Sequence, residues 1–359
     1  MNKRTISSRR FLILWSVLAS LLLTERTAAE SLPVRNDAVW TDTRGNAIRA
    51  QGGSMMKQGD TFYWYGFDGE VPAPKSGRPM YRAVRCYTSK DLSRWTLAGD
   101  VFTKHAPNRV DVVYCPATKD YVMFTKEMDD AGKLSDAGVG IATCATPTGE
   151  FVWQGRMQIP DSIGGGDQSV FVDDDGKAYL VYTTWLKDKE SGKVAHNKDM
   201  MCVELAPDFR SVVRVVYKFP DTRIEAPAIF KRNGIYYWCA SGIAWWYSSP
   251  TSWCMATRLE GPWTPWKIMK AKRDPGHPLA KQMLRDSYNS QHDFVVNVTG
   301  DAGSFQMYCG DRYSQFTTLG TGWVVWLPLQ FVGDEPVMDW YQTWNVDATK
   351  GTWSGELTP

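Results

Sequence analysis

A polar turn followed by an alternating aromatic strand recurs five times along this 359-residue chain. Lys57-Gln58-Gly59-Asp60 precedes Phe62-Tyr63-Trp64-Tyr65, and Thr118-Lys119-Asp120 precedes Tyr121-Val122-Met123-Phe124. Asp173-Asp174-Asp175-Gly176 leads into Tyr179-Leu180-Val181-Tyr182, and Lys231-Arg232-Asn233-Gly234 into Tyr236-Tyr237-Trp238. Asp301-Ala302-Gly303 before Phe305-Gln306-Met307-Tyr308 is the last copy. The turns stand roughly 57 to 69 residues apart, the size of one propeller blade. A second pattern runs in phase: Ser89 to Trp95 is echoed by Ala145 to Phe151 and Thr257 to Trp263, and more weakly by Cys202 to Phe209. Each unit therefore holds two hairpins, or four short strands. No stretch of helical periodicity separates the units.

This pattern predicts an all-β chain, a five-bladed β-propeller over residues 30–350, with 351–359 as a C-terminal tail. Such a ring hides its sheet edges by closing on itself. Closure is expected from a strand near residues 40–50 pairing with one near residues 337–346. A pair of β-sandwiches is the competing architecture, and the single phase of the repeat argues against it. The 47 aromatic residues, 17 of them Trp, suit either pleated strands or a surface that stacks sugars. The repeat assigns most of them to strands.

Residues 1–29 read as a leader. Lys3, Arg4, Arg9 and Arg10 precede an apolar run from Phe11 to Leu23, and Thr27-Ala28-Ala29 offers small residues for cleavage. The run is too short for a membrane span and fits a secretory signal, with a retained N-terminal anchor as the alternative. Ser8-Arg9-Arg10-Phe11-Leu12 loosely matches a twin-arginine signal, while the apolar run suits the general secretory route equally. A secreted or periplasmic location is expected, with no membrane partner beyond the export signal. The leader holds five of the 41 basic and one of the 39 acidic residues, so the remainder is net acidic by two charges. That balance excludes an electrostatic case for nucleic acid. The seven cysteines all follow the leader without a CxxC pair. They are expected to be mostly small buried hydrophobes, with one or two disulfides as the alternative in an oxidising compartment.

The repeat also aligns chemistry. The strand before each turn is expected to line the centre of the ring, where equivalent positions build a ligand site. Nine residues back from Gly176 stands Asp167, and nine back from Gly234 stands Glu225. The matching windows are Ala50-Gln51-Gly52-Gly53, which has no acid, Val110-Asp111, and Gln291-His292-Asp293. Two carboxylates facing one cavity are what glycosidic hydrolysis uses, one acid protonating the leaving oxygen while another group activates water. The plainer reading of either acid is a strand cap or a partner for Arg.

Glu225-Ala226-Pro227-Ala228-Ile229-Phe230 resembles the acid-bearing segment of glycoside hydrolase family 43, and more narrowly its exo-β-1,3-galactanase branch. Supporting segments are Tyr63-Trp64-Tyr65-Gly66, Arg85 to Leu92, Asp167 to Tyr182, Ser241-Gly242, Ser290-Gln291, Gly310-Asp311-Arg312, Val325 to Leu329 and Asp339-Trp340-Tyr341. The resemblance implies Glu225 as general acid and Asp167 as the carboxylate that orients it and keeps its pKa high. The wider family carries an aspartate base where this chain has Gly52-Gly53. In the galactanase branch a glutamine, matched by Gln291, stands where it holds the attacking water. Two positions depart from that branch: Gln51 replaces a histidine, and Asn108 falls where a sugar-binding glutamate is expected, with Asp111 its substitute if the register slips. Trp245, Trp246 and Trp253 are candidates for a sugar platform, with a packing role the equal alternative, and His292 for the channel lining. No cofactor or metal is expected, Asp173 to Gly176 reading as a hairpin turn rather than a calcium loop. The partner implied is an oligo- or polysaccharide, and the reaction inverting release of galactose from β-1,3-galactan. An α-L-arabinofuranosidase, a β-xylosidase, or a sugar-binding propeller without catalysis are the alternatives.

Overall fold

The computed structural model describes residues 32–359 apart from 71–79, 105, 129–137, 188–190, 196–197, 245 and 314–322. The expected leader and Trp245 therefore lie outside the described residues. Five antiparallel sheets follow one another along the chain, each an uncrossed meander. The first holds Gln51–Gln58, Thr61–Glu70, Met80–Ser89 and Thr96–Phe102. The second holds Ala106–Cys115, Asp120–Met128, Val139–Cys144 and Val152–Met157. The third holds Gly165–Val172, Ala178–Thr184, Met200–Leu205 and Val212–Phe219. The fourth holds Ile224–Arg232, Ile235–Gly242, Thr251–Ala256 and Lys267–Ile268. The fifth stops at three strands, Gln291–Gly300, Gly303–Asp311 and Val324–Pro328. All five repeated turns join the first two strands of a sheet, as the pairs Gln58 with Thr61, Val172 with Ala178 and Arg232 with Ile235 illustrate. The Asp173 turn is closed by Gly176 N–H donating to the Asp173 carbonyl at 2.9 Å, as a hairpin requires.

Alternation along the strands explains why so much of the chain is apolar and aromatic. In Ala178–Thr184, Leu180 and Tyr182 pack against Val122, Phe124 and Ile141 of the second sheet. Tyr179 and Val181, on the opposite face, pack with Trp238, Ala240 and Cys254 of the fourth. A strand buried on both faces carries hydrophobic residues at both parities. Trp64 of the first sheet meets Trp326 of the fifth at 4.8 Å between ring centres, with Trp40 4.7 Å from Trp326 and Trp95 5.4 Å from Trp64. Such tilted and edge-on pairs add about 0.5–1.5 kcal/mol each beyond simple burial.

Two expectations fail. Residues 40–50 form no strand with the C-terminal segment, because Asp42 Oδ1 accepts the N–H groups of Arg44 and Asn46 at 2.9 Å each and folds them into a local turn. Val34–Arg35 takes that place, pairing Val34 with Trp344 in a separate sheet with Thr343–Asp347 and Thr352–Ser354. A helix, Pro278–Asp286, also stands between the fourth and fifth sheets. Its nine residues are too few for a clear period, and Pro278 beside Gly276 reads as loop. None of the seven cysteines is paired, and six are buried.

The first strands of the sheets hold one another through side chains. Ser54 Oγ accepts Val112 N–H at 3.1 Å, Asp111 Oδ2 accepts Val170 N–H at 2.7 Å, and Asp167 Oδ2 accepts Ala226 N–H at 3.2 Å. His292 Nδ1 meets the Ala226 carbonyl at 3.1 Å, and Asp293 Oδ2 accepts Gly53 N–H at 2.9 Å. Each link joins one first strand to the next, and the last returns to the first.

Candidate active site

Every first strand breaks its register near the end facing these links: between Gln51 and Ser54, Asn108 and Val110, Gly165 and Gln168, Glu225 and Ala228, and His292 and Phe294. A bulge bends its strand and re-aims the side chains beside it. In three of the bulges a residue takes the left-handed conformation, with φ of 60° at Gly52, 47° at Arg109 and 55° at Ala226. The count of nine residues back from the turn thus lands on bulges.

Glu225 and Asp167 are brought together there in opposite electrostatic states. Glu225 is 7% exposed, and its Oε1 accepts from Gln291 Nε2 at 2.9 Å and from Ala244 N–H at 3.1 Å. Burial, and after it the negative charge of Asp167, push its pKa up to about 7. Burial acts on Asp167 in the same direction, but Lys126 and Arg109 outweigh it and hold Asp167 below the ordinary carboxylate range. Lys126 Nζ donates to Asp167 Oδ1 at 3.0 Å, and the Arg109 guanidinium lies 4.0 Å from Oδ2. The result is a proton-bearing carboxyl beside an ionised one, the arrangement that separates an acid from its electrostatic partner.

The other candidates occupy different places. Gln291 is buried between Glu225 and Ser241, its Nε2 also reaching Ser241 Oγ at 3.3 Å. His292 is fully buried and neutral, burial and then Arg109 driving its pKa down to about 3. Its ring spans to the carbonyl of the residue after Glu225 and so helps to fix that bulge. Asp111 is buried and spent on Val170, a link between sheets. Gln51 is likewise buried, its amide donating to the Arg312 carbonyl at 3.1 Å. Asn108 stands opposite Lys126 in the second sheet, and its side chain lies outside the described residues. Trp246 is half-buried and edge-on to Tyr313 at 5.1 Å and to Phe67 at 6.3 Å. Trp253, by contrast, belongs to the core.

Sequence reasoning missed Arg109 and Lys126, the two cations that keep Asp167 charged, and the paired acids Asp293 and Asp311. The signal was present for three of them: Arg109 adjoins the aligned position Asn108, Lys126 faces it across the hairpin, and Asp293 ends the fifth aligned window.

The chain is similar to several known proteins. A β-D-galactofuranosidase of Aspergillus niger is 27% identical over 205 residues, 54% of this chain and 55% of that protein. A β-xylosidase of Bacillus subtilis is 24% identical over 244 residues, covering 60% of this chain and 44% of that one. The chain thus spans about half the length of the curated relatives it matches. Among solved structures, an exo-β-1,3-galactanase from Clostridium thermocellum superposes with a TM-score of 0.75 at 28% identity, over 90% of this chain and 68% of that one. The Phanerochaete chrysosporium exo-β-1,3-galactanase, in a variant bound to β-1,3-galactotriose, gives 0.74 at 27% identity over 90% and 71%. The family model of the glycosyl hydrolases family 43 matches residues 48–325, and the chain belongs to that family.

Proposed function

We propose that this chain is an exported, inverting glycoside hydrolase that releases galactose from β-1,3-galactan, built as a five-bladed β-propeller. The blade reading rests on five successive sheets whose first strands touch in cyclic order, the fifth against the first. The export reading rests on the basic and apolar run of residues 1–29 alone.

One arrangement carries the chemistry: Lys126 and Arg109 beside Asp167 keep that carboxyl ionised, while Glu225, buried and held by Gln291 and Ala244, has its pKa pushed up to about 7 by burial and the Asp167 charge. A carboxyl in that state donates a proton to the glycosidic oxygen as the bond to the anomeric carbon breaks. Asp167 supplies the negative charge that helps keep this proton on Glu225 until it is donated, and by accepting the Ala226 N–H it holds the acid's strand in place. No carboxylate stands on the first strand's bulge, where Gly52 and Gly53 leave only backbone. Gln291 is the group assigned to orient the attacking water. An amide positions water without taking its proton, so the water adds as the bond to the leaving group breaks and then releases its proton to solvent, and the reaction leans on the acid more than on the base. Galactan is favoured over arabinoside or xyloside by likeness to the galactanases, which cover more of this chain than the curated relatives do.

The test is release of galactose from β-1,3-galactan, set against aryl arabinofuranoside, xyloside and galactofuranoside. Galactose released by the native protein and lost in Glu225→Gln supports the reading. Turnover of another glycoside alone reassigns the substrate, and galactan binding without turnover by either protein makes the chain a sugar-binding propeller.

A further inference from the structure

The junction between the fifth sheet and the first holds two carboxyl groups that the reaction does not use. Asp293 and Asp311 lie on the paired strands Gln291–Gly300 and Gly303–Asp311, 3% and 4% exposed. They take the N–H groups of two consecutive residues, Asp311 Oδ2 from Gly52 at 2.7 Å and Asp293 Oδ2 from Gly53 at 2.9 Å. Tyr313 OH donates to the same Asp311 oxygen at 2.9 Å. Among the described residues Arg109 is the one cation in contact with the pair, 3.1 Å from Asp293 Oδ1 and donating from Nη2 to the Asp293 carbonyl at 3.0 Å. That contact lies off the direction of the Arg109 N–H, so Asp293 Oδ1 has no hydrogen-bond donor aimed at it among the described residues.

Two buried carboxylates side by side with one cation cannot both be ionised without a large electrostatic penalty. We propose that Asp293 and Asp311 hold a single proton between them, Asp311 donating to Asp293, and that this pair closes the ring and positions Arg109 against Asp167. Both are positioning residues for Glu225, acting through Gly52-Gly53 on one side and Arg109 and Asp167 on the other. The inference is independent of which sugar is cleaved. Burial raises both acids above the ordinary carboxylate range, and Asp311, facing the Asp293 charge, is raised well above it. The other titratable groups facing the pair are Asp111, Asp167, Tyr308, Cys309 and Tyr313. Burial raises the thiol and phenol groups of Tyr308, Cys309 and Tyr313, so these three add no charge near neutrality.

A retained proton has a thermodynamic signature. The unfolded chain releases it at an ordinary carboxylate pKa while the folded chain keeps it, so folding weakens as pH rises above about 4. Asp311→Asn carries a permanent amide donor in place of that proton. Its folding equilibrium relative to the native protein is expected to improve about tenfold per pH unit from pH 4 upward, read as a Tm gap that widens with pH. The alkaline limb of the activity profile is expected to stay in place, because the amide variant and the proton-sharing pair both carry one negative charge. A Tm gap that stays flat or narrows with rising pH overturns the proposal. So does an alkaline limb that moves to lower pH, since it means the native pair carried two charges. If Asp311→Asn does not fold, infrared spectroscopy of the Glu225→Gln protein at about pH 8 decides: a protonated-carboxyl C=O stretch supports the shared proton, and its absence overturns it.

Discussion

The first strands Gln51–Gln58 and Ile224–Arg232 make the same bend and put opposite chemistry on it. Each has a bulge with a left-handed residue, φ 60° at Gly52 and 55° at Ala226. On the fourth sheet the bulge begins with Glu225, whose carboxyl is wrapped by Gln291 and Ala244. On the first sheet the bulge is stripped to two glycines, and packing enforces that. A Cβ on Gly53 would lie 1.8 Å from the Tyr65 carbonyl oxygen, and one on Gly52 would lie 2.2 Å from the Phe67 ring. The repeat therefore fixes a common backbone, and the residue allowed on each bulge decides what that sheet contributes. A carboxylate is not a side chain that a point substitution can introduce at the first sheet's bulge.

Breaking the acid half of this contrast gives the largest effect. Glu225→Gln keeps the shape and the acceptor for Ala244 but removes the proton, and kcat is expected to fall by about 10³-fold. Steady-state rates at pH 5 to 6, with circular dichroism showing an unchanged fold, check it. Breaking the glycine half acts on folding instead. Gly53→Ala drives a methyl into a backbone carbonyl that has no room to move, with an expected loss of at least about 4 kcal/mol. Denaturant unfolding measures this, and a variant within about 1 kcal/mol of the native protein removes the claim that packing holds the position empty.

How far the contrast was legible beforehand depends on the range of the interaction. Turns and first strands were readable because both are local: Gly176 and Gly234 end strands whose alternation is plain, and nine residues from each turn reaches Asp167 and Glu225. The bulges themselves were not, since a bulge adds one residue to a strand without changing its composition. Lys126 and Arg109 escaped notice because they meet Asp167 across two sheets, a distance of 41 residues for Lys126 that no periodicity spans. Asp311 sits opposite Gln291 across a hairpin, but its partnership with Gly52 forms only when the last sheet meets the first. Val34–Arg35 was missed for another reason: two residues carry no strand pattern, and Trp344 supplies the partner from the far end of the chain.

The acid's raised pKa is also a liability to folding. Glu225 holds its proton to about pH 7 in the folded chain, against 4.5 for an unperturbed group. Above pH 4.5 the unfolded chain releases that proton and the folded chain does not, so stability declines as pH rises toward 7 and then levels off. Glutamine at this position never ionises. Glu225→Gln is therefore expected to be more stable than the native protein by an amount that grows from near zero at pH 4.5 to about 3 kcal/mol at pH 7 and above. A stability difference that does not change between pH 5 and 8 shows that the folded acid titrates normally.

The smallest effect separates Asp167 as an electrostatic partner from Asp167 as a strand clamp. Its charge raises the Glu225 pKa, and its two oxygens hold Lys126 and the Ala226 N–H. Asp167→Asn keeps an acceptor for the N–H and deletes the charge. Two changes then act on Glu225 in the same direction: a negative neighbour disappears, and Lys126 and Arg109 lose the carboxylate that neutralised them. Both favour the ionised acid, so the alkaline limb of kcat/KM moves from near pH 7 downward by about one pH unit, equal to about 1.4 kcal/mol. A clamp alone predicts a lower rate at every pH with the limb unmoved. The pH profile therefore distinguishes the two roles even where the loss of rate is the same, and it does so at the bulge whose counterpart on the first sheet carries no side chain at all.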